Sequence, residues 1–284
     1  MDNKRKIEVA FQGEPGAYSE QALNKYYEGE GISVKGIPRE SLEDVILGVE
    51  MGEAQLAIVP VENSIGGYVD RSYKLISQGS VHVTGEVYLR VRHSLLGVKG
   101  TEVSEVDTVY SHPQALKQCR EVLTNLNVET HATYDTAGSA KMVKQKKDER
   151  VAAIASKFAG EKYDLKVLME DIQSSDRNHT RFLLVARKPE KEVIDGLDYK
   201  TTITFELGDG PGSLYSCLAP FAEKDINLTM IQSRPTETGR WEYHFDLELE
   251  GHREDDQVKT AIKELNRLVP EVHVLGSYPK GKIS

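Results

Sequence analysis

Thr202-Ile203-Thr204-Phe205-Glu206-Leu207 alternates polar and apolar residues one for one, the two-residue repeat of a strand with one face against a core. Pro211 follows and opens a predicted helix in which Leu214, Cys217, Leu218 and Phe221 recur three and four apart. Ile226, Leu228 and Met230 read as a second strand. Trp241, Tyr243, Phe245, Leu247 and Leu249 read as a third, alternating with Glu242, His244, Asp246 and Glu248 on its polar side. A second helical stripe, Val258, Ile262, Leu265 and Leu268, precedes a short closing strand at 271–275. The order β-α-β-β-α-β over residues 199–284 is the ferredoxin-like arrangement, an α+β layout. Many unrelated functions use it, so it carries none by itself.

Working outward, Lys188-Pro189-Glu190-Lys191-Glu192 and the turn signal Asp195-Gly196 mark a linker at 188–198. Residues 1–187 form a different region. Short apolar strands at 7–11, 57–59, 106–110, 151–154 and 182–186 alternate with helical patterns, an α/β order. One of those helices carries Leu42, Val45, Ile46 and Val49, with Ser41 and Asp44 as a capping box and Gly52 where it should stop. The region is long for one sheet, and the extended segment 81–91 is expected to carry the chain into a second lobe. A cleft between two lobes suits a small ligand.

Composition narrows the function. The 284 residues suggest two domains, and 39% hydrophobic with 29% charged residues describes a soluble folded chain. No apolar run approaches the roughly 20 residues that span a bilayer. Lys4-Arg5-Lys6 is followed by no sustained apolar stretch, so no export signal is expected. Cys119 and Cys217 stand alone, which fits a reduced, cytoplasmic protein. The eight histidines form no ligand cluster, so no metal is expected. The net charge of −9, acidic on both sides of Tyr199, argues against nucleic acid as a partner. An anionic ligand would have to be held by a few local donors.

Several strand ends carry chemistry. Gly13-Glu14-Pro15-Gly16-Ala17-Tyr18-Ser19 reads either as an anion-facing helix start or as a tight turn with Ser19 as N-cap. Pro60-Val61-Glu62-Asn63-Ser64-Ile65-Gly66-Gly67 leaves a strand at the end where open α/β sheets bind ligands, or is a turn with a solvated Glu62. In Ser111-His112-Pro113-Gln114, Pro113 starts a helix capped by Ser111 or His112, and the histidine is either an acid–base group or a loop hydrogen-bonder. Asp135-Thr136-Ala137-Gly138-Ser139-Ala140 and Ala152-Ala153-Ile154-Ala155-Ser156 are further junctions of the same kind. Asn178-His179-Thr180-Arg181-Phe182 places a hydroxyl, a cation and a ring at the start of an apolar strand.

Together these stretches resemble the prephenate dehydratase family, and the resemblance covers nearly the whole chain. It implies a two-lobed catalytic domain like that of periplasmic binding proteins, followed by a regulatory ACT domain. The implied reaction is decarboxylating dehydration of prephenate to phenylpyruvate, on the route to phenylalanine, without a cofactor. Carried over by motif, Thr180 protonates the leaving hydroxyl, Arg181 pairs with a substrate carboxylate and Phe182 is an apolar wall. Glu62, Asn63, Ser64, Ser111, Gln114 and Asn178 are candidates for binding the substrate. Gly212-Ser213-Leu214 stands where the family has its glycine-led phenylalanine loop, and Gln232-Ser233-Arg234-Pro235 where it has Glu-Ser-Arg-Pro. Ser213, Tyr215 and Gln232 depart from that pattern. ACT pairing implies a dimer or a dimer-of-dimers tetramer. Two alternatives stand: arogenate as substrate, with Glu62 the position expected to meet its ammonium, and a non-catalytic amino-acid sensor. A hydroxyl donor kept beside the cation speaks against the sensor.

Overall fold

The computed structural model describes residues 6–189, 193–236 and 243–283. The first lobe contains β1 (Lys6–Gln12), α1 (Tyr18–Tyr26), β2 (Ser33–Arg39), α2 (Leu42–Glu50), β3 (Leu56–Asn63), β4 (Gly67–Tyr68), α3 (Asp70–Gln78) and β5 (His82–Arg90). The second contains β6 (Ser94–Gly97), β7 (Thr108–Ser111), α4 (Pro113–Gln118), α5 (Arg120–Leu126), β8 (Glu129–Ala132), α6 (Thr136–Lys146), β9 (Val151–Ala155), α7 (Lys157–Lys162) and β10 (Lys166–Met169). The chain then returns to the first lobe as β11 (His179–Ala186).

That return decides the architecture. The first sheet has the order β2-β1-β3-β11-β5, with β4 on β3, so β11 is inserted between β3 and β5 and runs antiparallel to both. Its residues Arg181 to Val185 are all buried, as expected of a central strand covered on both faces. The second sheet has the order β10-β6-β9-β7-β8. Two crossings, 91–93 and 170–178, join the lobes. They are tied together where Val91 N–H donates to the Asn178 carbonyl and Ile172 N–H to that of His93.

Local chemistry explains most element ends. Ser41 Oγ accepts from Asp44 N–H at 3.1 Å, a cap worth about 1 kcal/mol, and Gly52 with φ +76° lies beyond the last turn. Ser19 does not cap α1: Ala17 stands at the N-cap position without a side-chain cap, and the loop before it turns at Gly16 (φ +98°), which packs against Ala159 of α7.

The C-terminal unit contains β12 (Tyr199–Leu207), α8 (Ser213–Ala222), β13 (Leu228–Pro235), β14 (Tyr243–Glu250), α9 (Asp256–Leu265) and β15 (Val272–Pro279). Its antiparallel sheet runs β13-β14-β12-β15, the ferredoxin-like order. Two expectations shift here. Gly212 (φ +80°), not Pro211, precedes the helix, and the second strand begins at Leu228 and extends to Pro235. Trp241 lies outside the described residues. The apolar face packs under α8 and α9 through Ile203, Phe205, Phe221, Leu247 and Leu265.

The polar face is not the solvent face that its alternation suggested. Thr202, Thr204, Asp246 and Glu248 are at most 3% exposed. They are covered by the first lobe, where Met230, Leu275 and Tyr278 share one core with Tyr73, Val83 and Leu183. The approach is close at Gly276, where a Cβ would lie 2.1 Å from the Val83 carbonyl oxygen. Gly276→Ala is therefore expected to destabilise the chain by about 1–3 kcal/mol, the usual cost of overpacking. A urea midpoint equal to that of the parent would contradict this packing.

Candidate active site

The register of β11 brings three expected residues together. Thr180 pairs with Asn63 across the sheet. Asn63 Nδ2 donates to Thr180 Oγ1 at 2.9 Å and to Asn178 Oδ1 at 2.8 Å. The Asn63 Oδ1 faces the other way, accepting from the N–H groups of Ile65 (3.1 Å) and Gly66 (2.7 Å). The turn thus fixes which end of the amide is the donor. Thr180 Oγ1 accepts from Asn63, which leaves its own O–H free to donate elsewhere. Ser64 clips the same loop to the crossing: its hydroxyl donates to the Arg177 carbonyl and accepts from His179 N–H.

From Asn178 the polar contacts continue inward. Its Nδ2 donates to Gln118 Oε1 (3.0 Å), which also lies 2.8 Å from His93 Nε2. His93 Nδ1 is 2.8 Å from the Tyr18 hydroxyl. Burial lowers the basicity of His93, against a smaller opposing effect of Gln118. Sequence reading missed Gln118 and His93, because a helix glutamine and an isolated ring carry no motif, and it quoted Tyr18 in the Gly13–Ser19 stretch without giving it a role.

Arg181 and Glu62 are not in this cluster. Neighbouring residues on a strand face opposite sides, so Thr180 and Arg181 diverge. Arg181 is 3% exposed; its guanidinium lies 2.6 Å from Glu86 and 2.7 Å from Glu248 of β14, and it donates to the Tyr278 hydroxyl. Lys200 joins the cluster 3.2 Å from Glu86. Burial works against the charge on Arg181, but Glu248 and its neighbours outweigh it and hold the guanidinium protonated. Burial, reinforced by Glu248, raises the Tyr73 and Tyr278 hydroxyls well above the usual tyrosine range. The expectation that Arg181 meets a substrate carboxylate is corrected accordingly, since it is spent on joining two domains. Glu62 pairs with Arg181 across the sheet and so shares its face, away from Thr180.

Phe182 returns to the Thr180 side but is 2% exposed, packed with Phe11, Leu23 and Leu89. It lies in the core instead of forming a wall of open space. Ser111 is fully buried and donates to the Ile154 carbonyl at 2.6 Å, tying β7 to β9. Gln114 belongs nearer the site, with its Nε2 about one side-chain contact from Gly66, 3.5 Å from where a Cβ would stand. His112 caps α4, its Nδ1 accepting from Gln114 N–H. A groove of about 1360 Å³ opens between the lobes, lined by Gly13, Tyr18, Arg39, His112 and Asp135 among others. The starts of α1, α4 and α6 meet there and supply partial positive charge. Tyr18 links this groove to the chain that ends at Thr180.

In the C-terminal unit, Gly212 to Leu214 and Gln232 to Pro235 lie at one end of the sheet, since Leu207 and Pro235 both pair with Tyr243. Arg234 is held by Asp246 (2.9 Å) and by Ser77 of α3 (2.8 Å), and Gln232 reaches Asp70 (3.3 Å). The motif therefore touches the catalytic region directly.

A two-lobed α/β domain with a groove between its lobes, joined to a ferredoxin-like module, defines the architectural class of this chain. The family model described as prephenate dehydratase matches residues 9–190, and that of the ACT domain matches 201–267. The chain belongs to the prephenate dehydratase family, whose activity is that of a hydro-lyase. It is 38% identical over 290 residues to arogenate dehydratase/prephenate dehydratase 2 of Arabidopsis thaliana, covering 98% of this chain and 74% of that one. The solved prephenate dehydratase of Arthrobacter aurescens in complex with L-Phe superposes with a TM-score of 0.87 at 31% identity, over 96% of this chain and 90% of that one. A quorum quenching acylase, GqqA, superposes with a TM-score of 0.88 at 32% identity, over 96% and 97% of the two chains.

The Arg181 cluster is testable by itself. Breaking a buried pair strands its partners, so Arg181→Met should cost about 3–5 kcal/mol in urea unfolding. Lys35 bonds Glu8 at a surface where both side chains are over 40% exposed, and Lys35→Met should leave the urea midpoint nearly unchanged. Equal losses for the two variants would contradict the assigned burial.

Proposed function

We propose that the chain converts prephenate to phenylpyruvate and is inhibited by L-phenylalanine through its ACT domain. The observation that carries the first part is the fixed direction of the Asn63–Thr180 hydrogen bond. Prephenate needs little from an enzyme: loss of carbon dioxide makes the ring aromatic once the hydroxyl opposite departs. The ring–carboxylate bond breaks, its electron pair moves through the diene, and the C–O bond breaks as Thr180 gives its proton to form water. The threonine recovers a proton from solvent. An aliphatic alcohol is a weak acid, so transfer is concerted with C–O cleavage, and the Asn63 N–H stabilises charge growing on Oγ. With Arg181 withdrawn, the donors left at the groove for the substrate carboxylates are Arg39, which also pairs with Glu53, and the helix N-termini.

For regulation, Gly212, Ser213, Leu214, Gln232, Ser233, Arg234 and Pro235 are the proposed effector contacts. Their signal has a short route, since Arg234 holds α3 while Glu248 on the neighbouring strand holds Arg181, next to Thr180. The edge strand β13, with Ile231 44% exposed, supports ACT pairing in a dimer or tetramer. No described helix is long and apolar enough to cross a membrane, and the two buried free cysteines support a cytoplasmic site.

The direct test is phenylpyruvate formation from prephenate by the purified chain, with arogenate in parallel, each with and without L-phenylalanine. Prephenate turnover suppressed by phenylalanine is expected; turnover of arogenate alone would replace the substrate, and none of either would sink the enzyme reading. Thr180→Val should lower kcat by about 10²–10⁴-fold, the usual worth of a positioned acid. Near-normal turnover in that variant would remove Thr180 from the mechanism.

A further inference from the structure

The contacts from Asn63 to His93 Nε2 have only one self-consistent set of protons. Asn63 Oδ1 takes two backbone N–H groups, so its Nδ2 must face Asn178. Asn178 must then offer Oδ1 to Asn63 and Nδ2 to Gln118. Gln118 Oε1 can only accept, so the hydrogen of its contact with His93 sits on His93 Nε2. In a neutral ring Nδ1 is then an acceptor, and it shares the single hydrogen of the Tyr18 hydroxyl, 2.8 Å away, with the Arg92 carbonyl at 2.6 Å. Asn178 is 1%, His93 2% and Gln118 7% exposed, so water cannot readily substitute for a lost partner.

The placement of these groups matters as much as their polarity. Thr180 and Asn63 belong to the first lobe, Gln118 to α4 of the second, and His93 and Asn178 to the two crossings between lobes. A displacement of the lobes about those crossings must therefore disturb the partner that orients Thr180. We propose that Asn178, Gln118 and His93 are positioning residues for Thr180, a directed hydrogen-bond chain through the interlobe hinge that keeps its proton facing the substrate. This rests on the reading of Thr180 as the proton donor, while the polarity of the chain stands apart from it.

The chain makes a prediction that simple structural filling does not. In Asn178→Asp the donor facing Gln118 becomes an acceptor. Gln118 must turn its Nε2 toward Asp at that position and its alternative face toward His93, and the consistent solution moves the ring proton to Nδ1. The Tyr18 hydroxyl then accepts from Nδ1–H and donates to the Arg92 carbonyl alone, 2.6 Å away. Nitrogen-15 NMR of His93 in the full chain is expected to show the Nε2–H tautomer in the parent and Nδ1–H in Asn178→Asp. The Nδ1–H form in the parent, or one tautomer in both, overturns the chain. In kinetics, Gln118→Leu should lower kcat by about 10²-fold with little change in KM, the cost of a misplaced catalytic group. Gln118→Glu, which keeps an oxygen for both donors, should recover most of that loss. Parental kcat in a folded Gln118→Leu, or equal losses in both variants, overturns the positioning role. A chain that turns over neither substrate yet shows the tautomer change would fail the dehydratase reading and keep the hydrogen-bond chain.

Discussion

The ion pairs that Arg181 makes with Glu86 and Glu248 fix the relation between the two halves of this molecule. Four charged side chains, Arg181, Lys200, Glu86 and Glu248, are each 5% exposed or less, and they balance in sign. Taking such groups out of water costs several kcal/mol each, so the cluster survives only because every charge meets an opposite one. Glu248 and Lys200 belong to the ACT domain, Arg181 and Glu86 to the catalytic domain. Each domain brings one cation and one anion, and docking completes the pairing across the seam. This pairing requires Arg181 to meet Glu248 and Lys200 to meet Glu86, a register that a purely apolar seam would specify less sharply.

One strand serves both purposes because its side chains alternate. Thr180 faces the lobe interface and Arg181 the ACT sheet, 180° apart along β11. Whatever shifts the Glu248 end of the cluster acts on the residue next to Thr180, the proposed proton donor. On the other side, the Asn63 turn sets the direction of that hydroxyl, and the polar chain behind it ties the setting to the hinge.

Much of this was legible in sequence. The two-residue alternation of 202–207 and the helical stripes after it gave the ferredoxin-like unit, and buried strand runs gave the α/β region. The stretches around Asn63 and Thr180 led to the contact that orients the hydroxyl. What failed was facing. Glu248 and Asp246 alternate with Leu247 and Leu249 as a wetted face would, and nothing in that pattern says a second domain covers it. Arg181 beside Thr180 looked like a ligand for an anion because strand neighbours are adjacent in sequence yet opposite in space. Glu62 misled for the same reason. Gln118 and His93 were invisible because their role depends on a crossing between lobes, which periodicity does not report.

The most direct test of this arrangement is amide hydrogen exchange, resolved by peptide, on addition of L-phenylalanine. If the Arg181 cluster couples the domains, exchange should slow in β11 and β5 as well as in the ACT strands β13 and β14. Slowing confined to the ACT strands and the start of α8, with β11 and β5 unchanged, would contradict it.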